Sequence, residues 1–284
     1  MQHSPRFIFS LIVLALFTSA QPLYRSGQCA VFFSHLKILQ QSSQSEIERF
    51  TGQLRSSDEE ERREATIMLA ALETPAAIPA LTSALNDTSE RVRAHAITGL
   101  SRLADPSLVP LIAARLAQDK KPFVRKTAAY ALGRFGSPEA TAPLTAALKD
   151  KDIEVRGAAA VALGEYADAS AIAPLIAALE DKSEFVRGQS ARALGVNGRA
   201  AAAAVPILIK LLNSDKDQQV KRHAATALGQ IGERASLPSL ERAARDHDPY
   251  LSQLASEAIK MIKEGQKTGV RRQKSEDRRL NIEG

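Results

Sequence analysis

One fifteen-residue pattern returns seven times along this chain, starting at Ser56, Asp87, Asp119, Asp150, Asp181, Asp215 and Asp246. The intervals between starts are 31, 32, 31, 31, 34 and 31 residues. A unit this short cannot bury an apolar face alone, so the period restricts the fold to an array in which each copy packs on its neighbours. The copy from Asp150 to Gly164 reads DKDIEVRGAAAVALG, and Val155, Ala159, Ala162, Leu163 and Tyr166 lie on one face of a helix. No stretch alternates in polarity as a strand does, so the fold class is all-α.

The positions within a copy divide the work of the helix. Position 10 is Ala65, Ala96, Ala128, Ala159, Ser190, Ala224 or Ala255, which keeps bulk off the side a neighbour must approach. Position 3 is Asp58, Ser89, Lys121, Asp152, Ser183, Asp217 or Asp248; all but Lys121 can accept from the free N–H groups of a first turn, each cap contributing about 1 kcal/mol. Gly133, Gly164, Gly195 and Gly229 are expected to close the first helices. A second helix follows each first one, with Leu-rich runs such as AIPALTSAL and AIAPLIAAL. Prolines 79, 110, 143, 174, 206 and 238 predict a bend or a late start in these second helices. Ile47, Phe50 and Leu54 share a helical face upstream and read as a lone second helix over the open end of the stack.

The unit Asp-x-x-x-x-Val-Arg-x-x-Ala-Ala-x-Ala-Leu-Gly, followed by a proline-led Leu-rich helix, resembles the short HEAT repeat named after phycobilisome lyases, and the resemblance covers about residues 56–262. It implies an α-solenoid, a right-handed superhelix of six to seven stacked helix pairs, with first helices convex and second helices lining a concave groove. It implies little about function, because such folds host binding and catalysis alike.

The paired charges of the repeat are the first candidates for chemistry. Asp87 and Arg93, Asp119 and Arg125, Asp150 and Arg156, Asp181 and Arg187, and Asp215 and Lys221 keep a six-residue separation in five copies. A catalytic pair is needed once, whereas a stacking contact is needed in every repeat. These residues are therefore read as a structural ladder, each basic side chain reaching Asp residues and carbonyls of its own or the adjoining unit.

Related enzymes supply a direct comparison. Deoxyhypusine hydroxylase shares the architecture and holds two irons through His-Glu pairs; here none of His3, His35, His95, His223 and His247 precedes a Glu. No metal or other cofactor is expected, the histidines read as surface residues, and no catalytic residue is assigned. Bilin lyases share the repeat type, but aromatic residues make up only 5% of the chain, and Tyr130 and Tyr166 are expected in the core. Residues 51–262 hold 27 basic and 26 acidic side chains, so the body has no phosphate-tracking stripe and nucleic acid is disfavoured.

What remains is the groove itself. The second helices are expected to present Thr82, Thr145, Ile176, Ala177, Lys210, Glu241 and Arg242 there, with Ser83, Ala113, Ala114, Ala146 and Ile209 between them. Small side chains let another backbone lie close, which points to a protein or peptide partner and to a non-catalytic scaffold. The longer interval after Asp181 comes from Val196–Pro206, expected to project a loop or lengthen a second helix.

The ends of the chain read differently from its body. Phe7 to Ala20 is uncharged and closes on Thr18, Ser19 and Ala20, so residues 1–20 read as a signal peptide and the protein as exported, with no span in the mature chain. Cys29 is the one cysteine, which leaves no intramolecular disulfide. Residues 21–44 read as a linker, 45–263 as the solenoid and 264–284 as an unfolded basic tail.

Overall fold

The computed structural model of the protein describes residues 44–280, with side chains through Gly265. The expected signal peptide, Cys29 and nearly all of the expected linker lie outside the described residues. The chain divides into two units, 1–49 and 50–284. Of the first, residues 44–49 are described; they begin a helix, α1, that spans 44–53.

The second unit is an all-α solenoid. Its first helices are α2 (Glu59–Ala71), α4 (Glu90–Arg102), α6 (Pro122–Phe135), α8 (Ile153–Leu163), α10 (Glu184–Val196), α12 (Gln218–Ile231) and α14 (Pro249–Leu280). Alternating with them are the second helices α3 (Ile78–Ala84), α5 (Val109–Gln118), α7 (Thr141–Ala147), α9 (Ile172–Ala178), α11 (Val205–Ser214) and α13 (Leu237–Ala243). First helices pack on one another in sequence, each second helix packs on the first helix that follows it, and no strand occurs among the described residues. The core is aliphatic: Leu69, Leu100, Leu132, Leu163, Leu194 and Leu228 are fully buried at one repeat position.

Caps account for the helix starts. Asp58, Ser89, Asp152, Asp217 and Asp248 each accept from first-turn N–H groups. Ser183 stands at the same position without such a bond, and Lys121 is followed by Pro122. The second helices start late. A 3-10 turn comes first, as in Pro75–Ala77 and Pro106–Leu108, and the prolines then fall at the second or third residue of the α-helix, where a missing N–H is tolerated. The insertion lengthens this prelude into a seven-residue run, Gly198–Ala204, kinked at Ala201 and with Ala201 and Ala204 buried, so it projects no loop, and α11 is ten residues long where α9 has seven.

Three of the glycines expected to end helices do not. Gly133, Gly195 and Gly229 lie inside α6, α10 and α12, and only Gly164 caps a helix, without a left-handed turn. The left-handed caps are Gly136 and Gly232. The interior glycines serve packing instead, because a Cβ on Gly133 would stand 2.8 Å from that of Ala162.

At the other end, α14 continues to Leu280 through most of the residues expected as an unfolded tail. Lys, Arg, Gln and Glu dominate that segment, and their helix propensity is high even where no apolar stripe exists.

Candidate functional site

Two candidate sites follow from the sequence, the Asp-Arg ladder and the second-helix face, and the structure gives each a geometry. In the ladder the arginine does not pair with the carboxylate six residues before it. Arg93 forks onto Asp119 of the next copy, Nε to Oδ2 at 2.7 Å and Nη2 to Oδ1 at 2.8 Å, while its Nη1 donates to the Asp87 carbonyl at 2.9 Å. Arg125 binds Asp150, Arg156 binds Asp181 and Arg187 binds Asp215 in the same way. The series begins one copy earlier than the sequence pairing places it. Arg62 forks onto Asp87 and donates to the Ser56 carbonyl, so Ser56 keeps the backbone half of the role.

Each ladder aspartate also organises its own loop. Asp87, Asp119, Asp150, Asp181 and Asp215 accept from the N–H two residues on, at 2.8 to 2.9 Å. That turn presents the cap residue of the following helix. Lys221 departs from the expectation. The fork at the last interface comes from its neighbour Arg222, which binds both oxygens of Asp248 at 3.0 Å and lies 4.9 Å from the Tyr250 ring. An ammonium is a point donor and cannot reproduce the two parallel bonds of a guanidinium, so the arginine one place on takes over and the acceptor shifts with it.

Burial by itself pushes the carboxyls of Asp87, Asp119, Asp150, Asp181 and Asp215 up, but the arginine forks, the loop N–H bonds and the arginine charge bring each below its ordinary value. A depressed carboxylate pKa stabilises the fold above the ordinary carboxylate range, and that stability is lost as pH falls through the folded value. Urea midpoints are therefore expected to stay level from neutral pH down to about pH 5 and then to fall steeply below about pH 4. Asp150→Asn is expected to reduce that slope, and equal slopes in the two proteins would remove Asp150 from the account.

The second-helix face is built from one pair of positions repeated in six helices. Ser83, Ala146 and Ala177 are exposed there, and Thr82, Ala113, Ala114, Thr145, Ile176 and Ile209 are half-buried. Towards the C-terminal repeats Lys210, Glu241 and Arg242 are exposed and charged. A polar rim that the sequence reading missed bridges successive second helices. Arg115 donates to Asn86 Oδ1 at 3.0 Å, Lys210 lies 3.6 Å from Glu180, and Arg242 reaches Asn213 Oδ1 at 3.4 Å and Ser239 at 3.1 Å. The signal was available as a basic residue 29 or 30 residues after an Asn or Glu, but it recurs in only three copies and with different residue types, so no column stands out. Exposed pairs of this kind contribute little to stability, so Lys210 and Arg242 can exchange them for a partner's groups.

The aromatic rings lie elsewhere. Tyr130, expected in the core, is 41% exposed, and Tyr250 is 65% exposed; both are on first helices. Tyr166 is half-buried with its hydroxyl 2.9 Å from Thr141 Oγ1, and Thr141 in turn donates to Asp168. His95 and His223 are half-buried rather than free on the surface. Burial first, and an arginine second, lowers the pKa of each. Among the described residues no group of three or more His, Cys, Asp or Glu side chains could hold a metal ion, and no helix is long and apolar enough to cross a membrane.

A family model described as HEAT repeats matches residues 47–131, 83–164, 109–195, 142–215 and 172–260. The chain belongs to the HEAT repeat family. No curated protein matches this HEAT chain at the sequence level. Among solved structures, E. coli YibA is 17% identical, with 86% of this chain and 99% of that one covered and a TM-score of 0.52. The CpcE–CpcF complex of phycocyanin lyase from Nostoc sp. PCC7120 is 23% identical over 77% of this chain and 94% of that one, with a TM-score of 0.48. Human deoxyhypusine hydroxylase is 23% identical over 77% and 84%, with a TM-score of 0.39. At these identities the likeness is one of fold, and two of these HEAT-like neighbours being enzymes assigns no reaction to this chain.

Proposed function

We propose that this HEAT protein is a non-catalytic scaffold that holds a protein or peptide segment along its second-helix row. The observation that supports it is the repeated column of uncharged side chains, Thr82 to Ser83, Thr145 to Ala146 and Ile176 to Ala177, in which the second of each pair is small and exposed and the first half-buried. A column of this kind lets a partner's backbone or helix lie close to several repeats at once, and multiplied weak contacts give the affinity. The apolar Ile176 supplies the anchor, and Lys210, Glu241 and Arg242 at one end of the row orient the ligand by charge.

The test is recovery of bound partners by the purified chain and by a Thr145→Arg, Ile176→Arg variant. Two large charged side chains in the centre of the row are expected to abolish recovery while leaving the helical content and melting temperature unchanged, because neither residue is fully buried. Undiminished recovery by the folded variant would remove the second-helix row as the binding face.

A further inference from the structure

The near balance of charge across the body conceals an uneven placement of it. Position 2 of the repeat is Lys120, Lys151, Lys182 and Lys216 in four successive copies, after Ser57 and Thr88 in the first two. Each lysine directly follows a ladder aspartate, so the forks that hold Asp119, Asp150, Asp181 and Asp215 also fix the row in which the lysines stand. Stacking uses only the main chain of this position. Nη1 of Arg125, Arg156 and Arg187 donates to the carbonyls of Lys120, Lys151 and Lys182 at 3.5, 3.3 and 3.2 Å, and Ser57 and Thr88 accept from Arg62 and Arg93 at 3.1 Å in the same way. Any residue offers a carbonyl, so folding does not account for lysine in four copies running.

The ammonium groups are free. All four lysines are exposed and unpaired, and Lys149 and Arg245, each one residue before a copy begins, are two more exposed and unpaired cations. Most acidic groups of the same loops are committed. The ladder aspartates sit in forks, and Asp152 and Asp217 accept from first-turn N–H groups, whose helix dipoles offset their charge. Glu154 lies 3.5 Å from Lys126, and Glu180 lies 3.6 Å from Lys210. Glu184 and Asp246 are left against the six free cations.

The same turns expose apolar side chains. Phe123, Ile153 and Phe185 follow Lys120, Lys151 and Lys182 by two or three residues and are 44, 48 and 37% exposed. Lysines alone would make a solvated edge, but solubility gains nothing from a Phe or Ile beside each of three of them.

We propose that this edge rests on the surface of a bilayer that contains anionic lipid, with the lysines at the headgroups and Phe123, Ile153 and Phe185 in the interfacial layer. Packed helices stand about 8–10 Å apart, so four lysines in successive copies extend over roughly 24–30 Å, which suits a surface better than a single bound anion. Ile153 has neither a hydrogen-bonding group nor a ring to stack on a base, so a nucleic acid would leave it unused, whereas the interface of a bilayer takes it together with the lysine stems. The contact shares no residue with the second-helix row, so either reading can fail without the other.

The chain has no tryptophan, so Phe123→Trp supplies a single fluorescent reporter at this edge. In about 0.05 M salt, vesicles of phosphatidylcholine with about one-third phosphatidylglycerol are expected to shift the emission of the full-length reporter chain to the blue, and about 0.5 M salt to reverse the shift. Vesicles of phosphatidylcholine alone are expected to leave it in place. In the same background, Lys151→Glu with Lys182→Glu is expected to weaken binding to the anionic vesicles by more than about tenfold, and Lys151→Arg with Lys182→Arg to preserve it. Ile153→Ser is expected to weaken binding about fivefold while leaving its salt dependence intact. These side chains are exposed, and melting curves matching the parent confirm that the variants fold. The apolar stretch Phe7 to Ala20 is present in every variant and drops out of the comparison. No shift with anionic vesicles at low salt, an equal shift with neutral ones, or unchanged binding by the charge-reversed chain would overturn the proposal. So would a shift produced by a single-stranded oligonucleotide or polyglutamate without any response to vesicles, which would assign the edge to an anionic polymer in solution.

Discussion

Replacing Arg125 by alanine is expected to lower the stability of the solenoid by about 3 kcal/mol and to divide its urea unfolding into two transitions. Arg125 is 4% exposed, its fork onto Asp150 is 2.7 Å long at both bonds, and Nη1 holds the Asp119 carbonyl at 2.9 Å. Alanine leaves the Asp150 carboxylate with its loop N–H alone, in a site that burial already makes unfavourable for charge. Removing one member of such a pair costs far more than the pair contributes, because the remaining charge stays desolvated. The site joins the third and fourth of seven copies. In an array where each unit contacts only its neighbours, a weakened central interface lets the two halves unfold separately, and the apparent m-value falls. Arg125→Lys is expected to rescue little, since one ammonium cannot span both oxygens. Arg63→Ala, which removes an exposed pair with Glu60, serves as the control with no measurable loss. A single transition at the wild-type midpoint for Arg125→Ala would show that the ladder does not hold the repeats together.

The array was legible in the sequence because its rules are local. An Asp or Ser before a first helix, Ala at position 10 and a proline-led second helix depend on neighbours a few residues away, and each recurs often enough to separate rule from accident. The partner of each arginine was not legible. The six-residue spacing ties Arg93 to Asp87, whereas the fork closes on Asp119, 26 residues away. Only the stacking offset between copies selects between those two carboxylates, and that offset is a tertiary quantity. Lys221 misleads for the same reason, since the alignment places it in the ladder and geometry gives the fork to Arg222.

The second-helix face was legible as a column of small residues and opaque as chemistry. A Thr or Ala that faces solvent and one that faces a neighbouring helix look alike in a sequence, and periodicity alone separates them. The first-helix face was misjudged in the other direction. Tyr130 falls in an Ala-rich run and reads as core, but it lies two positions after the fully buried Ala128 and projects outward. Aromatic residues in a chain poor in them need not be the core when Leu and Ala already fill it at every repeat.

Gly133→Ala carries the sharpest contradiction between local and tertiary rules. On propensity alone the substitution stabilises a helix interior by up to about 1 kcal/mol, because Ala loses less backbone freedom than Gly. In α6 the added Cβ would stand 2.8 Å from the Ala162 Cβ and 2.9 Å from its Cα, and the backbone of α8 cannot rotate away as a flexible side chain could. Relief requires the two first helices to separate, which loosens the packing around the buried Leu132 and Leu163 and strains the Arg125 fork that spans the same interface. Overpacking of this kind costs about 1–3 kcal/mol, so a net destabilisation of about 2 kcal/mol is expected where propensity predicts a gain. Gly52→Ala is the matched comparison: Gly52 is helical and exposed, nothing lies within 4 Å of an added Cβ, and a modest stabilisation is expected. Thermal or urea unfolding of the two variants reads the difference in sign directly. If Gly133→Ala proves as stabilising as Gly52→Ala, close approach of the first helices is not what keeps glycine inside the repeat, and the packing account of Gly195 and Gly229 fails with it.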